Sequence, residues 1–210
     1  MYLSKLLLNP DPRCRSVLRD LADPYEMHRT VLRAFPDRSS GGPGRVLFRL
    51  EPPRPDHPPT VLVQSDKTPD WSPLTDRNGY LLESPQFKPY RPAFRREQRL
   101  RFRLRANPTV KRDGKRHGLI RGEQQLAWLG RKAEVGGFTL LQVRTSRQAR
   151  RLSRKASPQG GVRQAVHLGV DFEGILQVTD PDAFLAALAA GIGPAKAFGC
   201  GLLSVAPVTA

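Results

Sequence analysis

The chain has 210 residues with 35 Lys or Arg against 19 Asp or Glu, which gives a formal net charge of +16 and an isoelectric point near 11.0. A charge this basic favours a polyanionic partner, nucleic acid first and an anionic membrane second. The two cysteines, Cys14 and Cys200, are too few for a disulfide framework and form no Cys-x-x-Cys zinc pair. With no signal-peptide core and no run of roughly 18 apolar residues, the sequence predicts a soluble cytoplasmic protein.

The positive charge is concentrated in the second half of the chain. Residues 1–90 carry 13 basic and 11 acidic side chains, whereas residues 91–210 carry 22 and 8. A merely solvated surface is usually closer to charge balance, so this excess predicts nucleic-acid binding by the C-terminal half. A membrane surface is disfavoured because no strong basic amphipathic helix is visible.

The first half begins with an apolar run that predicts a strand over residues 2–9, followed by a loop or short turn over residues 11–22. Asp23 is a suitable N-cap, Pro24 suits the first helical position, and Glu26 stands where a capping box needs it. These signals predict a helix over residues 24–35, stopped by Pro36. Further predicted elements are strands at 45–50 and 60–64 and, within a loop at 66–95, one short helix near 89–94.

The second half opens with a strictly alternating stretch, residues 98–106. Its period of two predicts a half-buried strand with an exposed ladder of arginines, namely Arg99, Arg101, Arg103 and Arg105. A helix is predicted at 123–135, closed by Gly136 and Gly137. The remaining predictions are a strand at 138–143, a strand pair within 165–178 around Glu173 and Gly174, and a helix at 181–190 capped by Asp180.

This order of elements predicts the α+β class and two tandem ferredoxin-like βαββαβ domains, residues 1–92 and 93–210. The division is placed in the loop that follows the third strand.

Two basic segments stand out as candidate binding surfaces. Residues 91–121 contain 12 Lys or Arg, and residues 144–163 contain seven with no acidic residue. The arginine ladder would grip phosphates, and the Arg/Ser-rich run predicts a mobile loop or hairpin that orders on binding. Phe102 is the one aromatic residue of the ladder strand and lies on its apolar side, which favours groove and backbone recognition of structured RNA over base stacking.

A glycine pattern, GIGPAKAFGCG, occupies residues 191–201. It matches neither a Walker loop nor a dinucleotide fingerprint. Two interpretations are open: a loop whose amides, with Lys196, approach phosphates, or a tight structural turn.

His28 lies within the predicted first helix, on the flank of an apolar stripe and one helical step from Tyr25. A boundary histidine is more often structural, yet a histidine is also the usual proton-transfer group near neutral pH. The residues alone leave both interpretations open.

Several phrases together resemble the CRISPR repeat-RNA endoribonucleases of the type I-E Cascade complex, the CasE family. They are DLADPYEMHRTV, RLRFRLRANPTVKRDGKR, FEGILQVTDPDAF and GIGPAKAFGCGLLSVAP, in matching order. The resemblance implies tandem ferredoxin-like folds and metal-independent cleavage of precursor CRISPR RNA at the 3′ base of its repeat hairpin. It also implies retention of the mature guide RNA as a subunit among other Cascade proteins, with no cofactor.

The resemblance also implies roles for individual residues. His28 and Tyr25 correspond to the catalytic pair, and Gly191, Gly193, Gly199 and Gly201 to the glycine-rich signature. The predicted RNA-binding residues are Arg29, Arg33, Arg99, Arg101, Arg103, Arg105, Lys115, Arg116, Arg150, Arg151, Arg154, Lys155 and Lys196. One departure is that Phe35 and Pro36 intervene after the first helix, where relatives carry more basic and small polar residues.

The implied reaction is in-line attack of a 2′-hydroxyl on the neighbouring phosphate, which leaves a 2′,3′-cyclic phosphate and a 5′-hydroxyl. It needs a proton acceptor, a proton donor and positive charge, and no cluster of carboxylates for metal ions. The alternative is a basic RNA-binding protein without catalysis.

Overall fold

The computed structural model describes the backbone of residues 1–37, 39–76, 79–156 and 162–208, and their side chains except those of 146–148, 150–156 and 162–167. The chain divides into two compact units. The first comprises Met1–Arg91, Leu152–Ala165 and Ala197–Gly199, and the second comprises Pro92–Arg151, Val166–Lys196 and Cys200–Ala210. The division into domains 1–92 and 93–210 stays a prediction.

The first unit contains a four-stranded antiparallel sheet with helices between its strands. Its elements are β1 (Tyr2–Leu7), α1 (Arg15–Ala22), α2 (Pro24–Leu32), β2 (Val46–Leu50), β3 (Thr60–Ser65), α3 (Ser72–Thr75) and β4 (Gln86–Pro89). The strand order is β2-β3-β1-β4. Alternate strand residues such as Leu6, Phe48 and Val61 point into one core, where Met27 and Val31 of α2 meet them.

Two predictions for this unit are wrong. Residues 15–22 form helix α1 rather than a loop, and residues 89–94 form no helix. Helix α1 has no side-chain cap at its start, and it is held instead by tertiary contacts of the buried Asp20. Pro89 pairs with Tyr2, and the Tyr90 amide donates to the carbonyl of Met1. These long-range hydrogen bonds, invisible to local patterns, fix the backbone as an edge strand.

The second unit contains a second four-stranded sheet, with a separate hairpin. Its elements are β5 (Arg99–Ala106), β6 (Thr109–Arg112), β7 (Lys115–Gly118), α4 (Gly122–Val135), β8 (Phe138–Ala156), β9 (Val162–Val178), α5 (Pro181–Ala190), a 3-10 turn (Lys196–Phe198) and β10 (Leu203–Pro207). Residues 152–156 of β8, 162–165 of β9 and 197–198 of the 3-10 turn are counted with the first unit. The strand order is β10-β5-β9-β8. Leu104, Phe172 and Leu176 of the sheet pack with Leu129 of α4 and Phe184 of α5.

The predicted strand pair around Glu173 and Gly174 is wrong, because β9 runs through both residues as one strand. A Cβ at position 174 would collide with the backbone carbonyl of Gln142. The glycine therefore serves close approach of the neighbouring chain segment rather than a turn.

In both sheets the last strand of the βαββαβ order lies beside the first, and the third lies between the first and the second. This arrangement is the ferredoxin-like topology. The predicted fold class, α+β with two tandem ferredoxin-like units, is confirmed. Within the part of the chain that the structure describes, no helix is long and apolar enough to cross a membrane.

Candidate active site and nucleic-acid interface

Helix α2 is built by the local signals that its sequence contains. The carboxylate of Asp23 accepts a hydrogen bond from the Tyr25 amide (2.8 Å), and Pro24 opens the first turn. The helix ends at Leu32, and Arg33 is its C-cap. The predicted end at residue 35 is therefore three residues too late. The amides of Ala34 and Phe35 donate to the carbonyls of Val31 and Leu32, three residues back, so the chain tightens into a turn after the helix.

His28 sits on the second turn of α2 and is packed among aromatic rings. Its imidazole stacks on Phe48 of β2, with ring centroids 6.0 Å apart and planes 17° from parallel. Tyr25, one turn earlier, lies 6.4 Å away. The side chain is partly exposed, but Nδ1 is buried and has no hydrogen-bond partner among the described residues.

Burial lowers the pKa of His28 below its ordinary value of 6.5, because the charged imidazolium is poorly solvated there. Burial therefore favours the neutral imidazole. In that state it can accept a proton without first losing one.

The glycine-rich segment contributes to the same unit from far along the sequence. Phe198 contacts Tyr25, with centroids 6.0 Å apart. Gly199 has φ +75°, and a Cβ there would lie 3.2 Å from the Phe48 ring. The sequence analysis did not identify Phe48 and Phe198 as neighbours of His28, since neither carries a chemical signature of its own.

Two of the predicted cationic residues lie on or next to α2. Arg29 is exposed and pairs with Glu26 (3.1 Å), and Arg33 is exposed at the helix end. Glu26 also pairs with Arg19 at 3.5 Å. Arg29 is thus available to an anion only in competition with a carboxylate.

The predicted exposed ladder on β5 is half wrong. Arg99 and Arg101 are exposed as expected, but Arg103 pairs with Glu173 (3.2 Å) and Arg105 is buried against Asp171 (3.4 Å). The cause is the register with β9, which places Glu173 opposite Arg103 and Asp171 opposite Arg105. Acidic residues two apart in the phrase DFE were the available signal for this charge pairing.

The hairpin β6–β7, on which the predicted residues Lys115 and Arg116 lie, was not predicted from the sequence. Asp113 and Gly114 form its turn with φ angles of 48° and 74°. An Asp-Gly pair between two short strands is a strong hairpin signal. The cations of this hairpin, all exposed, are Lys111, Arg112, Lys115 and Arg116.

The remaining glycines of the pattern favour the structural-turn interpretation. Gly193 has φ +78°, and a Cβ there would lie 2.9 Å from the Trp128 ring. The Gly201 amide donates to the carbonyl of Arg105 (2.7 Å), and the Ile192 amide to the carbonyl of Gly201 (2.9 Å). These amides are engaged within the protein, while the nearby Lys196 side chain is partly exposed.

Four further predicted residues, Arg150, Arg151, Arg154 and Lys155, fall on side chains outside the described part of the structure. Their backbone belongs to β8. Across the described residues, no group of three or more His, Cys, Asp or Glu is arranged to hold a metal ion.

A family model described as "CRISPR associated protein" matches residues 1–207. The chain is 46% identical to the CRISPR-associated endoribonuclease Cse3 of Thermus thermophilus and 30% identical to the Cascade subunit CasE of Escherichia coli, in each case across 99% of this chain and 100% of the relative. The chain belongs to the CasE family of CRISPR-associated proteins.

A solved structure of a CasE-family protein supports the assignment at the level of the fold. The structure of Thermus thermophilus Cse3 with an RNA that represents a pre-cleavage complex has a TM-score of 0.82 and 44% identity, and 98% of each chain is covered. The family resemblance predicted from the sequence phrases is therefore confirmed.

The departure from the CasE pattern after α2 has a structural explanation. Phe35 is buried in the core of the first unit and meets Trp71 edge-on, with centroids 6.0 Å apart. Phe35 thus serves packing of the core, and Arg33 is the last cation before it.

Proposed function

We propose that this chain is a cytoplasmic, metal-independent endoribonuclease that binds the repeat hairpin of precursor CRISPR RNA and cleaves at its 3′ base. It retains the mature guide RNA and so becomes a subunit of Cascade, together with other Cascade proteins. Full-length similarity to an endoribonuclease and to a Cascade subunit supports this proposal. The excess of positive charge in residues 91–210 supplies the polyanion affinity that it requires.

The catalytic part of the proposal depends on one observation: a partly exposed histidine, held by aromatic packing, whose neutral form burial favours. In this mechanism His28 accepts the proton of the 2′-hydroxyl as that oxygen attacks the phosphorus. Tyr25, on the same ridge of α2, orients the nucleophile or gives a proton to the departing 5′-oxygen. Positive charge for the phosphorane comes from Arg29, Arg33 and the Arg154 and Lys155 pair.

The products are a 2′,3′-cyclic phosphate and a 5′-hydroxyl, because the attacking oxygen belongs to the RNA itself. Water is not the nucleophile, so no ion is needed to generate hydroxide. Cleavage is accordingly expected to persist in EDTA and to stop when the scissile nucleotide lacks its 2′-hydroxyl.

His28→Ala is expected to slow single-turnover cleavage of the repeat RNA by about 10²–10⁴-fold, the usual contribution of a positioned proton-transfer group. Affinity for the hairpin should change little, because the cations that hold RNA are untouched. The matched control is His57→Ala, which removes an exposed loop histidine and should cleave at the normal rate.

Normal cleavage by His28→Ala would disprove the catalytic assignment. Binding of the repeat RNA by the wild-type chain without any cleavage would instead support the alternative, a non-catalytic RNA-binding protein.

A further inference from the structure

The second unit contains an open groove of about 990 Å³ that the proposed cleavage chemistry does not use. It lies between hairpin β6–β7, helices α4 and α5, and the loop of residues 191–196. A volume of this order is at the upper end of ordinary ligand sites, which run to about 1,000 Å³. The groove therefore has room for a segment of chain rather than a single small group.

Part of the groove lining is cationic. Four of its lining residues are basic, namely Lys111, Arg116, Lys132 and Lys196, and no acidic residue is among the described side chains that line it. Lys111, Arg116 and Lys132 are exposed. Clustered charges of one sign attract an anionic occupant and repel a cationic one.

Another part of the groove lining is aliphatic. Ala183, Ala186, Ala187 and Ala190 of α5 line it together, because their spacing places them on one helix face. Val135, at the end of α4, also lines the groove and is 82% exposed. An exposed apolar side chain beside an apolar helix face is a feature of protein-interaction surfaces.

The groove is poorly suited to RNA bases despite its charge. Among the described residues that line it, the one aromatic is Trp128, which is only 4% exposed and has Gly193 against its ring. No ring face is therefore offered for base stacking, which is the usual contribution of aromatic residues in single-strand RNA sites. The alanine methyl groups donate no hydrogen bonds to phosphates or base edges, whereas they would pack well against apolar side chains.

We propose that this groove docks an acidic segment with one apolar face, supplied by another protein subunit of the Cascade complex. Carboxylates of the segment would meet Lys111 and Lys132, the two basic lining residues without a predicted RNA role, and its apolar side chains would cover the α5 alanines and Val135. The small alanine side chains allow a helix or an extended segment to approach α5 closely. The inference depends on the proposed function, since it takes membership of Cascade as given.

The test is an Ala186→Arg variant compared with Leu185→Arg. Both positions are exposed neighbours on α5, but only Ala186 lines the groove. The probe is the set of other Cascade subunits assembled on a guide RNA that lacks its 3′ hairpin. Because the RNA element that this chain is proposed to bind is missing, binding of the chain to the probe measures protein–protein contacts. Ala186→Arg should weaken that binding by about tenfold or more, equivalent to about 1.4 kcal/mol, and Leu185→Arg should bind as the wild type does.

A charge-reversal pair tests the cationic part of the lining separately. Lys132→Glu should weaken binding of the same probe, while Arg131→Glu, the exposed neighbour on α4 that does not line the groove, should not. Repeat-hairpin affinity of all four variants is measured in parallel. Ala186→Arg adds positive charge, so it should not reduce RNA affinity if the groove binds protein.

Three outcomes would overturn the inference. Ala186→Arg could bind the subunit probe as tightly as the wild type, Ala186→Arg and Leu185→Arg could lose the same affinity for that probe, or Ala186→Arg could lose affinity for the RNA hairpin. The last outcome would identify the groove as an RNA site. Failure of the proposed function gives a different result. The wild-type chain would then leave the repeat RNA uncleaved, whether or not it binds the subunit probe.

Discussion

At the scale of single residues, the environment of His28 determines when it carries charge. The imidazole stacks on Phe48 and its Nδ1 is buried without a partner among the described groups. Desolvation then lowers its pKa below the ordinary 6.5. Folding therefore disfavours the protonated form of this residue.

This direction predicts how cleavage depends on pH. The neutral imidazole is the proton acceptor, so the single-turnover rate should rise with pH and level off at higher pH. The midpoint of the rise should lie below the ordinary histidine pKa of 6.5. The measurement is a pH–rate profile at subsaturating protein, where the single-turnover rate reports the titration of the RNA-free chain. A rate that falls as pH passes through such a midpoint would mean that His28 acts as the acid.

Stability should follow the same titration. The stabilising contribution of a neutral His28 is fully present above the unfolded-state pKa of about 6.5 and is lost as pH falls through the lowered folded-state value. Urea unfolding between pH 5 and pH 7.5 should show less of this decline for His28→Ala than for the wild type. His57→Ala is again the control, because an exposed histidine should leave the decline unchanged.

Asp20 is a second residue whose surroundings decide its role. Its buried carboxylate accepts hydrogen bonds from the Tyr80 hydroxyl (2.7 Å) and from Arg19 Nε (2.9 Å), and Tyr80 itself is 1% exposed. Asp20→Ala should lower the free energy of unfolding by about 1–3 kcal/mol, since it deprives the buried Tyr80 hydroxyl of this acceptor. Tyr80→Phe and the double variant complete a cycle in urea unfolding, and purely additive losses would argue against coupling between the two groups.

At the scale of elements, basic residues that look alike in sequence divide into two kinds. Arg105 on β5 is 10% exposed and pairs with Asp171, whereas Lys115 on the hairpin β6–β7 is exposed. A buried cation maintains the fold, and an exposed one on a hairpin is available to phosphates. Substitution of each should therefore affect different measurements.

Lys115→Ala should weaken binding of the repeat RNA hairpin. It should also reduce the steepness with which the logarithm of the binding constant falls with the logarithm of salt concentration by about one, while leaving the free energy of unfolding unchanged. Arg105→Ala should instead destabilise the chain by about 3–5 kcal/mol, because it leaves Asp171 as a buried charge without this partner. Salt titrations of RNA affinity and thermal unfolding of both variants provide the comparison. An unchanged salt slope for Lys115→Ala would remove that residue from the interface.

At the scale of the whole molecule, the first unit is not one continuous stretch of chain. Ala197–Gly199 belongs to it although most of the unit ends at Arg91. Through this short segment Phe198 reaches Tyr25, which lies 173 positions earlier in the sequence. The position of the catalytic candidate Tyr25 thus depends on a residue near the end of the chain.

Phe198→Ala should slow single-turnover cleavage by about tenfold or more, because a small displacement of a catalytic group has a large effect on rate. Hairpin affinity should stay within about twofold, a change worth well under 1.4 kcal/mol. The matched control is Phe87→Ala, which removes an exposed aromatic side chain of the same unit. Equal effects of the two substitutions on the cleavage rate would contradict a specific role for Phe198.

Local signals were sufficient where an element is specified by its own residues. The cap at Asp23 with Pro24, the alternation in β5, and the Asp180 cap of α5 were all predicted from short windows. Strand β4 and the continuity of β9 were not, because each depends on partners distant in sequence; helix α1 was also missed, although its residues carry an amphipathic pattern of their own. The same is true of the site: spacing indicated Tyr25 and His28, but nothing local indicated Phe48 or Phe198.

The sequence by itself determined the fold class, the CasE family and the placement of His28 on a helix flank, because these depend on residue order and periodicity. Only the tertiary structure decided that Arg103 and Arg105 form ion pairs with Glu173 and Asp171, and that burial favours the neutral form of His28. It also decided that the alanines of α5 line a groove together with basic side chains. These properties depend on strand register and on packing between distant segments. Register and packing set the distance between charges and the access of water, and neither quantity is written in a local stretch of residues.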